Sequence, residues 1–312
     1  MRKYVSKVLL YVFIIGVITA IVNCICIELD HSDLQYTEKY KNLPNNIQLC
    51  NLGSSHGLYG FNYEEVDDKV CFNFALLSQS LSYDCRILEC FRDNLAENST
   101  VYIVVSYFSV FGKDETEGER FAPRNKKYYD FLPKEYIKNY SAKEKLYEVY
   151  FPSLTKGSDI FNVLLGKSVN KNDELWKREA SDIDIYKDAN EAYIRHFVTD
   201  KLDDQGNLIY NQEEIDALYS IIQICKEENA RPVLVTTPFL SEYLDAISDN
   251  NPQVFDTFYT FIQEVVESTS VEYYDYSHDE RFVHRYDWFM NSDHLNKEGA
   301  RQFTRIILSD TQ

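Results

Sequence analysis

The chain has 312 residues, enough for one substantial α/β domain and a segment outside it, but not for two full catalytic domains. Its formal charge is −18, and because the first 27 residues hold Arg2, Lys3 and Lys7 and no acid, the remainder carries −21. A body that acidic repels nucleic acid and anionic surfaces, which excludes nucleic-acid partners and suits neutral glycans or small acyl donors better.

From Val8 to Ile27 the sequence VLLYVFIIGVITAIVNCICI carries no charge and is as long as a helix that crosses the hydrocarbon core. Basic residues lie only on its amino-terminal flank, and Glu28, Asp30 and Asp33 follow it. Residues 1–27 are therefore expected to be a cytoplasmic tip and an uncleaved transmembrane anchor. The amino terminus is expected in the cytoplasm and the main domain outside the membrane. Residues 28–46 are polar, include the turn signal Leu43-Pro44-Asn45-Asn46 and read as a stalk.

The folded domain is expected over 47–312. IQLCNL (47–52), KVCFNF (69–74), TVYIVV (100–105), RPVLVTT (231–237) and VEYYDY (271–276) are short apolar runs of the kind that form strands buried on both faces. Between and after them, 80–98, 212–230, 252–269 and 297–310 have helical period. Asn211 and Asn296 are candidate caps, and Pro252 is placed at a first helical position. Alternating strands and helices predict a three-layer α/β/α domain with a mostly parallel, flavodoxin-like sheet. A charged, Tyr-rich insertion at about 106–210 interrupts the alternation and is expected to be helical. Five cysteines beyond the anchor match no zinc spacing, so no metal or cofactor is expected; Cys85 and Cys90 are open between a disulfide and buried thiols.

The first strand runs into Asn51-Leu-Gly-Ser-Ser-His-Gly, a small-residue turn at the carboxyl edge of the sheet, where open α/β folds build their sites. Ser55 would begin the next helical turn, with free backbone N–H groups able to stabilise an oxyanion. At the other end, WFMNSDHLNKEGA (288–300) puts His294 between the last strand and the last helix, on the same edge. A serine hydroxyl needs a base, and a neutral imidazole is the side chain best matched to that task.

The pair GSSH and HLNKEG resembles the first and last sequence blocks of the SGNH, or GDSL-like, hydrolase superfamily. In particular it resembles the membrane-anchored branch that includes the D protein of teichoic-acid D-alanylation and polysaccharide O-acetylation proteins. The resemblance covers roughly 47–112 and 231–308. It implies that Ser55 is the nucleophile, that Ser54 stands at the Asp position of the GDS block, and that His294 is the general base. Three residues before His294, where that family usually has Asp, this chain has Asn291. An amide at that position lowers turnover about 10⁴-fold in a serine protease. Asp293, next to His294, is the alternative source of charge or merely an acid at a helix entrance. By position Asn73, Gln79 and Ser106 are the oxyanion or binding candidates. His56 is expected to cap or pack, and His196, His278 and His284 stand in no motif.

Two functions follow from the resemblance. One is an extracytoplasmic serine esterase or O-acyltransferase that modifies a cell-envelope polysaccharide through an acyl-serine. The other is a non-catalytic partner of a membrane-bound O-acyltransferase, which the Asn291 departure favours.

Overall fold

The computed structural model describes residues 2–29, 37–112, 125–154, 165 and 176–311. They fall into two compact units, one made of Met1–Lys41 with Glu119–Asn172 and the other of Asn42–Gly118 with Asp173–Gln312. The insertion expected at about 106–210 thus contributes to both. Residues 30–36 of the expected stalk lie outside the described residues, as do 113–124, 155–164 and 166–175 of the insertion. Within the stalk, Lys39–Asn42 forms a 3-10 turn rather than irregular chain, and Asn46 takes a positive φ in the predicted turn.

In the first unit, α1 (Arg2–Leu29) is continuous, and its stretch Tyr4–Ile25 is long and apolar enough to cross a membrane, with a mean hydropathy of 2.7. Its large apolar side chains are exposed along the helix, unlike those of a helix in a soluble core.

The second unit is built on five parallel strands: β1 (Ile47–Leu52), β2 (Cys71–Asn73), β3 (Leu95–Val104), β4 (Arg231–Thr236) and β5 (Glu272–Asp275). Their order, β2-β1-β3-β4-β5, is that of a flavodoxin-like doubly wound sheet. Among the described residues seven helices accompany them: α2 (Ser55–Gly60), α3 (Leu81–Phe91), α4 (Ile185–Tyr193), α5 (Gln212–Glu227), α6 (Ser241–Asn250), α7 (Gln253–Thr269) and α8 (Lys297–Asp310). The five predicted strands form, with two differences. β5 is an edge strand whose residues are half-buried or exposed; among the described residues β4 alone pairs with it. The 80–98 helix ends at Phe91, and its last residues enter β3, where pairing with β1 outweighs helix propensity. Pro252 sits one place before its helix, as the cap.

Side-chain alternation divides the core. Leu49, Tyr102, Val104, Val233 and Val235 meet Ala300, Phe303 and Ile307 of α8 on one face. Those α8 positions recur at helical spacing, and burying each large apolar side chain contributes about 1.5–3 kcal/mol. On the other face α3 and α5 pack together and α5 contacts β4. Cys85 carries a free thiol, so the Cys85–Cys90 bridge is not formed.

Candidate active site

β1 and β3 are neighbours in space, but their following segments leave toward opposite parts of the sheet, and the crevice between them is where such folds bind ligands. Ser55 follows β1 and Ser106 follows β3. The turn after β1 requires Gly53: its φ is +135°, and a Cβ there would meet Val104 Cβ at 2.8 Å. Asp84, buried on α3, holds this turn by accepting the Gly53 N–H at 2.9 Å, and Gln79 donates to the same carboxylate oxygen at 2.6 Å.

Ser55 begins α2, and Gly57 lets that helix lie against the sheet, since a Cβ would fall 2.8 Å from the Leu52 carbonyl oxygen. Asn73 Nδ2 donates to the carbonyls of Gly57, Leu58 and Phe61 at 3.1–3.3 Å. Its Oδ1 accepts from Asn51 Nδ2 at 3.0 Å, and Asn51 also donates to Gly57. Both amides therefore clamp the carboxyl end of the helix that carries Ser55. Neither Asn73 nor Gln79 is brought to Ser55 as an oxyanion donor; their N–H groups are committed to the turn and the helix.

His294 is held by a small closed loop. Phe289 and Leu295 bridge antiparallel, and the Met290 N–H donates to the His294 carbonyl at 3.0 Å. Asn291 Oδ1 accepts the backbone N–H groups of Asp293 and His294, at 3.3 and 2.8 Å, which tightens the turn. Ser292 is fully buried and gives its N–H and hydroxyl to Asp188 of α4 at 2.9 and 2.6 Å. Asn296 then caps α8 through the Gly299 N–H at 2.9 Å, while its own amide donates to the Asp287 carbonyl.

The two ends of the chain meet here. Ser55 Oγ lies 2.8 Å from His294 Nε2. In the tautomer that leaves Nε2 to accept from that hydroxyl, the Nδ1–H is aligned on Asn291 Oδ1 at 3.2 Å. Asp293 Oδ1 lies 3.0 Å from the same nitrogen but off the N–H direction, so it contributes charge rather than a second well-formed hydrogen bond. Asn291 thus orients the ring, and the adjacent carboxylate, rather than pointing away as neighbouring loop side chains usually do, stands beside it.

Asp293 turns inward because a polar shell receives it. Its Oδ2 is 3.4 Å from His56 Nε2, 3.4 Å from the Arg195 guanidinium and 3.5 Å from His196 Nε2. Burial alone would raise this carboxyl, but the imidazoles of His294, His56 and His196 outweigh it and hold the group well below the usual carboxylate range. Burial pushes His56 down to about 4 against the opposing pull of Asp293, and burial also carries His196 well below the usual imidazole value. Both rings are neutral near pH 7, and His56 turns its Nε2–H toward Asp293. The remaining nitrogens accept: His56 Nδ1 from Ser106 Oγ at 2.6 Å, and His196 Nδ1 from Tyr243 Oη at 2.7 Å. Ser106 is therefore a support for His56.

Sequence reading finds Ser55, His294, Asn291 and Asp293 but not the shell. His56 lies beside Ser55 in the turn, yet its ring faces 5.1 Å from Phe239 and 4.8 Å from His294. Asp188, Arg195 and His196 lie in the insertion, where no motif marks them. His56, Asp293 and His294 present ligand atoms within 4.8 Å of one another, close enough to hold a cation. His56 Nδ1 and His294 Nε2 already accept from the Ser106 and Ser55 hydroxyls, and Arg195 supplies the carboxylate with a positive charge.

No family model and no curated protein matches the sequence. Among solved structures the chain is similar to a candidate acylhydrolase from Bacteroides fragilis, at 11% identity and a TM-score of 0.41, over 90% of this chain and 96% of that one. It is also similar to a protein from Streptococcus pneumonia described as a candidate platelet activating factor. There the identity is 10% and the TM-score 0.44, over 91% of this chain and 94% of that one.

Proposed function

We propose that the chain is a serine enzyme of acyl-ester chemistry. The observation that carries this reading is one line of contacts: Ser55 Oγ to His294 Nε2 at 2.8 Å, with Asn291 Oδ1 and the ionised Asp293 beside Nδ1. Ser55 Oγ attacks the ester carbonyl while His294 takes its proton, and the developing imidazolium is stabilised by Asp293, which stays ionised. His294 then returns the proton to the departing alkoxide, leaving an acyl-serine. Water or a sugar hydroxyl, deprotonated by the same imidazole, releases the acyl group and regenerates Ser55. The N–H groups of the first turn of α2 supply the oxyanion donors.

More particularly, the reading is of a membrane-anchored protein that removes or transfers acyl groups on a cell-envelope polysaccharide, outside the cytoplasmic membrane. The apolar span of α1 with basic residues only before it, the strongly acidic body and the resemblance of the GSSH and HLNKEG blocks support it. A membrane-bound O-acyltransferase is the partner that would deliver the acyl group where transfer rather than hydrolysis is the outcome. The test is turnover of a small aryl acetate by the full chain in detergent. Turnover that Ser55→Ala and His294→Ala each abolish is expected. Negligible turnover by a folded parent chain would leave the non-catalytic partner as the better account.

A further inference from the structure

The amino-terminal unit contains a second apolar feature besides α1. Residues Ala142–Lys145 form one helical turn, Leu146–Tyr150 continue it in a wider π-helical turn, and Pro152–Leu154 close it as a 3-10 turn. Leu146, Tyr150, Phe151 and Leu154 are 46%, 57%, 40% and 62% exposed, a concentration of bare apolar and aromatic surface within nine residues. The acids of the segment face another way: Glu144 and Glu148 are both held by Lys126, at 2.8 and 3.0 Å. The segment therefore presents one apolar side and one side of paired charge.

Its depth is set by the anchor itself. Asn23, two residues before the end of the apolar stretch Tyr4–Ile25, is buried, although most neighbouring positions are exposed. Its Nδ2 donates to the Tyr150 carbonyl at 2.6 Å, and its Oδ1 accepts from the Ser153 N–H and hydroxyl at 3.3 and 3.0 Å. An amide at the edge of hydrocarbon is costly unless satisfied, and residues 150–153 satisfy it. Twenty-two residues at 1.5 Å each span about 33 Å, close to the thickness of the apolar core, so Asn23 falls at its boundary. The residues bonded to it lie at that same level.

We propose that residues 142–154 form an interfacial foot, with Leu146, Tyr150, Phe151 and Leu154 seated in the headgroup region of the bilayer that α1 crosses. This proposal rests on the reading of α1 as a membrane anchor. Tyr, Phe and Leu are the side chains that favour such a boundary. Pairing the two acids with Lys126 offsets part of the negative charge that would oppose contact with anionic lipid.

The test places the full chain, as parent and as Tyr150→Trp, in phosphatidylcholine vesicles with lipids brominated either near the headgroup or near the chain end. The increment of tryptophan emission over the parent is expected to be quenched about twofold more by the shallow bromines than by the deep ones. Phe151→Trp should give the same ranking, which guards against a local disturbance at one position. Equal insensitivity to both lipids, in a protein that still floats with the vesicles, overturns the foot while leaving the anchor intact. Stronger quenching by the deep bromines overturns it too. A parent that fails to float removes the anchor and the foot together.

Discussion

At Asp293 and Asn291 two jobs that one side chain performs in a Ser-His-Asp triad are divided. Asn291 Oδ1 fixes the imidazole through Nδ1–H, and Asp293 supplies negative charge from 3.0 Å. Asp293→Asn should therefore lower turnover of an aryl ester by about 10²–10⁴-fold, while Asn291→Asp should change it by less than about tenfold, since the charge is already present. Steady-state kinetics of the two variants check this; a large gain in Asn291→Asp would show that Asp293 does not supply the charge. His56 links the site to stability. Its folded pKa is lowered to about 4 by burial, against about 6.5 in the unfolded chain, so the unfolded state binds more protons between those values. Stability is accordingly full above about pH 6.5 and falls as the pH drops toward 4, by up to about 3 kcal/mol from this ring. His196 acts in the same direction, whereas Asp293, held below the carboxylate range, loses its contribution only at still lower pH. Denaturation midpoints measured across this range should fall with acid, and His56→Gln should flatten the slope. An unchanged slope would mean that the ring is not buried neutral.

The elements show what sequence period can and cannot convey. β1, β3 and β4 are legible because strands buried on both faces must be continuous apolar runs, and the cap at Asn296 is legible because its partner is three residues away. β5 misleads because its apolar run belongs to an edge strand. The shell formed by Asp188, Arg195 and His196 is not legible: its partners are at Ser292 and Asp293, about a hundred residues on, and no local spacing records such a contact. For the same reason Asn73 reads as an oxyanion donor when its amide is spent on the end of α2. Gly299 joins both kinds of information. It sits in the first turn of α8, and a Cβ there would lie 1.9 Å from the Trp288 carbonyl oxygen, which also accepts the Asn296 N–H at 2.9 Å. Gly299→Ala must displace either the helix or the loop that carries His294. It should cost about 1–3 kcal/mol of stability and lower esterase turnover more than the loss of folded protein explains. Thermal melts beside kinetics at a temperature where the variant is folded check this; turnover per folded molecule equal to the parent's would mean that the helix moved and the loop did not.

On the scale of the whole chain, an acidic α/β unit and an apolar helix are joined in one polypeptide, and the direction of that helix decides what molecules the proposed site can reach. With Arg2, Lys3 and Lys7 on one flank and acids on the other, the amino terminus is expected in the cytoplasm. Protease added to intact spheroplasts should then digest residues beyond the anchor, and protection of that portion would exclude an envelope glycan as substrate. The proposed chemistry turns on Ser55. Intact-mass and peptide analysis after treatment with a fluorophosphonate should find one covalent adduct on the peptide containing Ser55, and His294→Ala should slow its formation by about 10²-fold or more. An adduct confined to other residues, or none in a chain that is folded by circular dichroism, would contradict it.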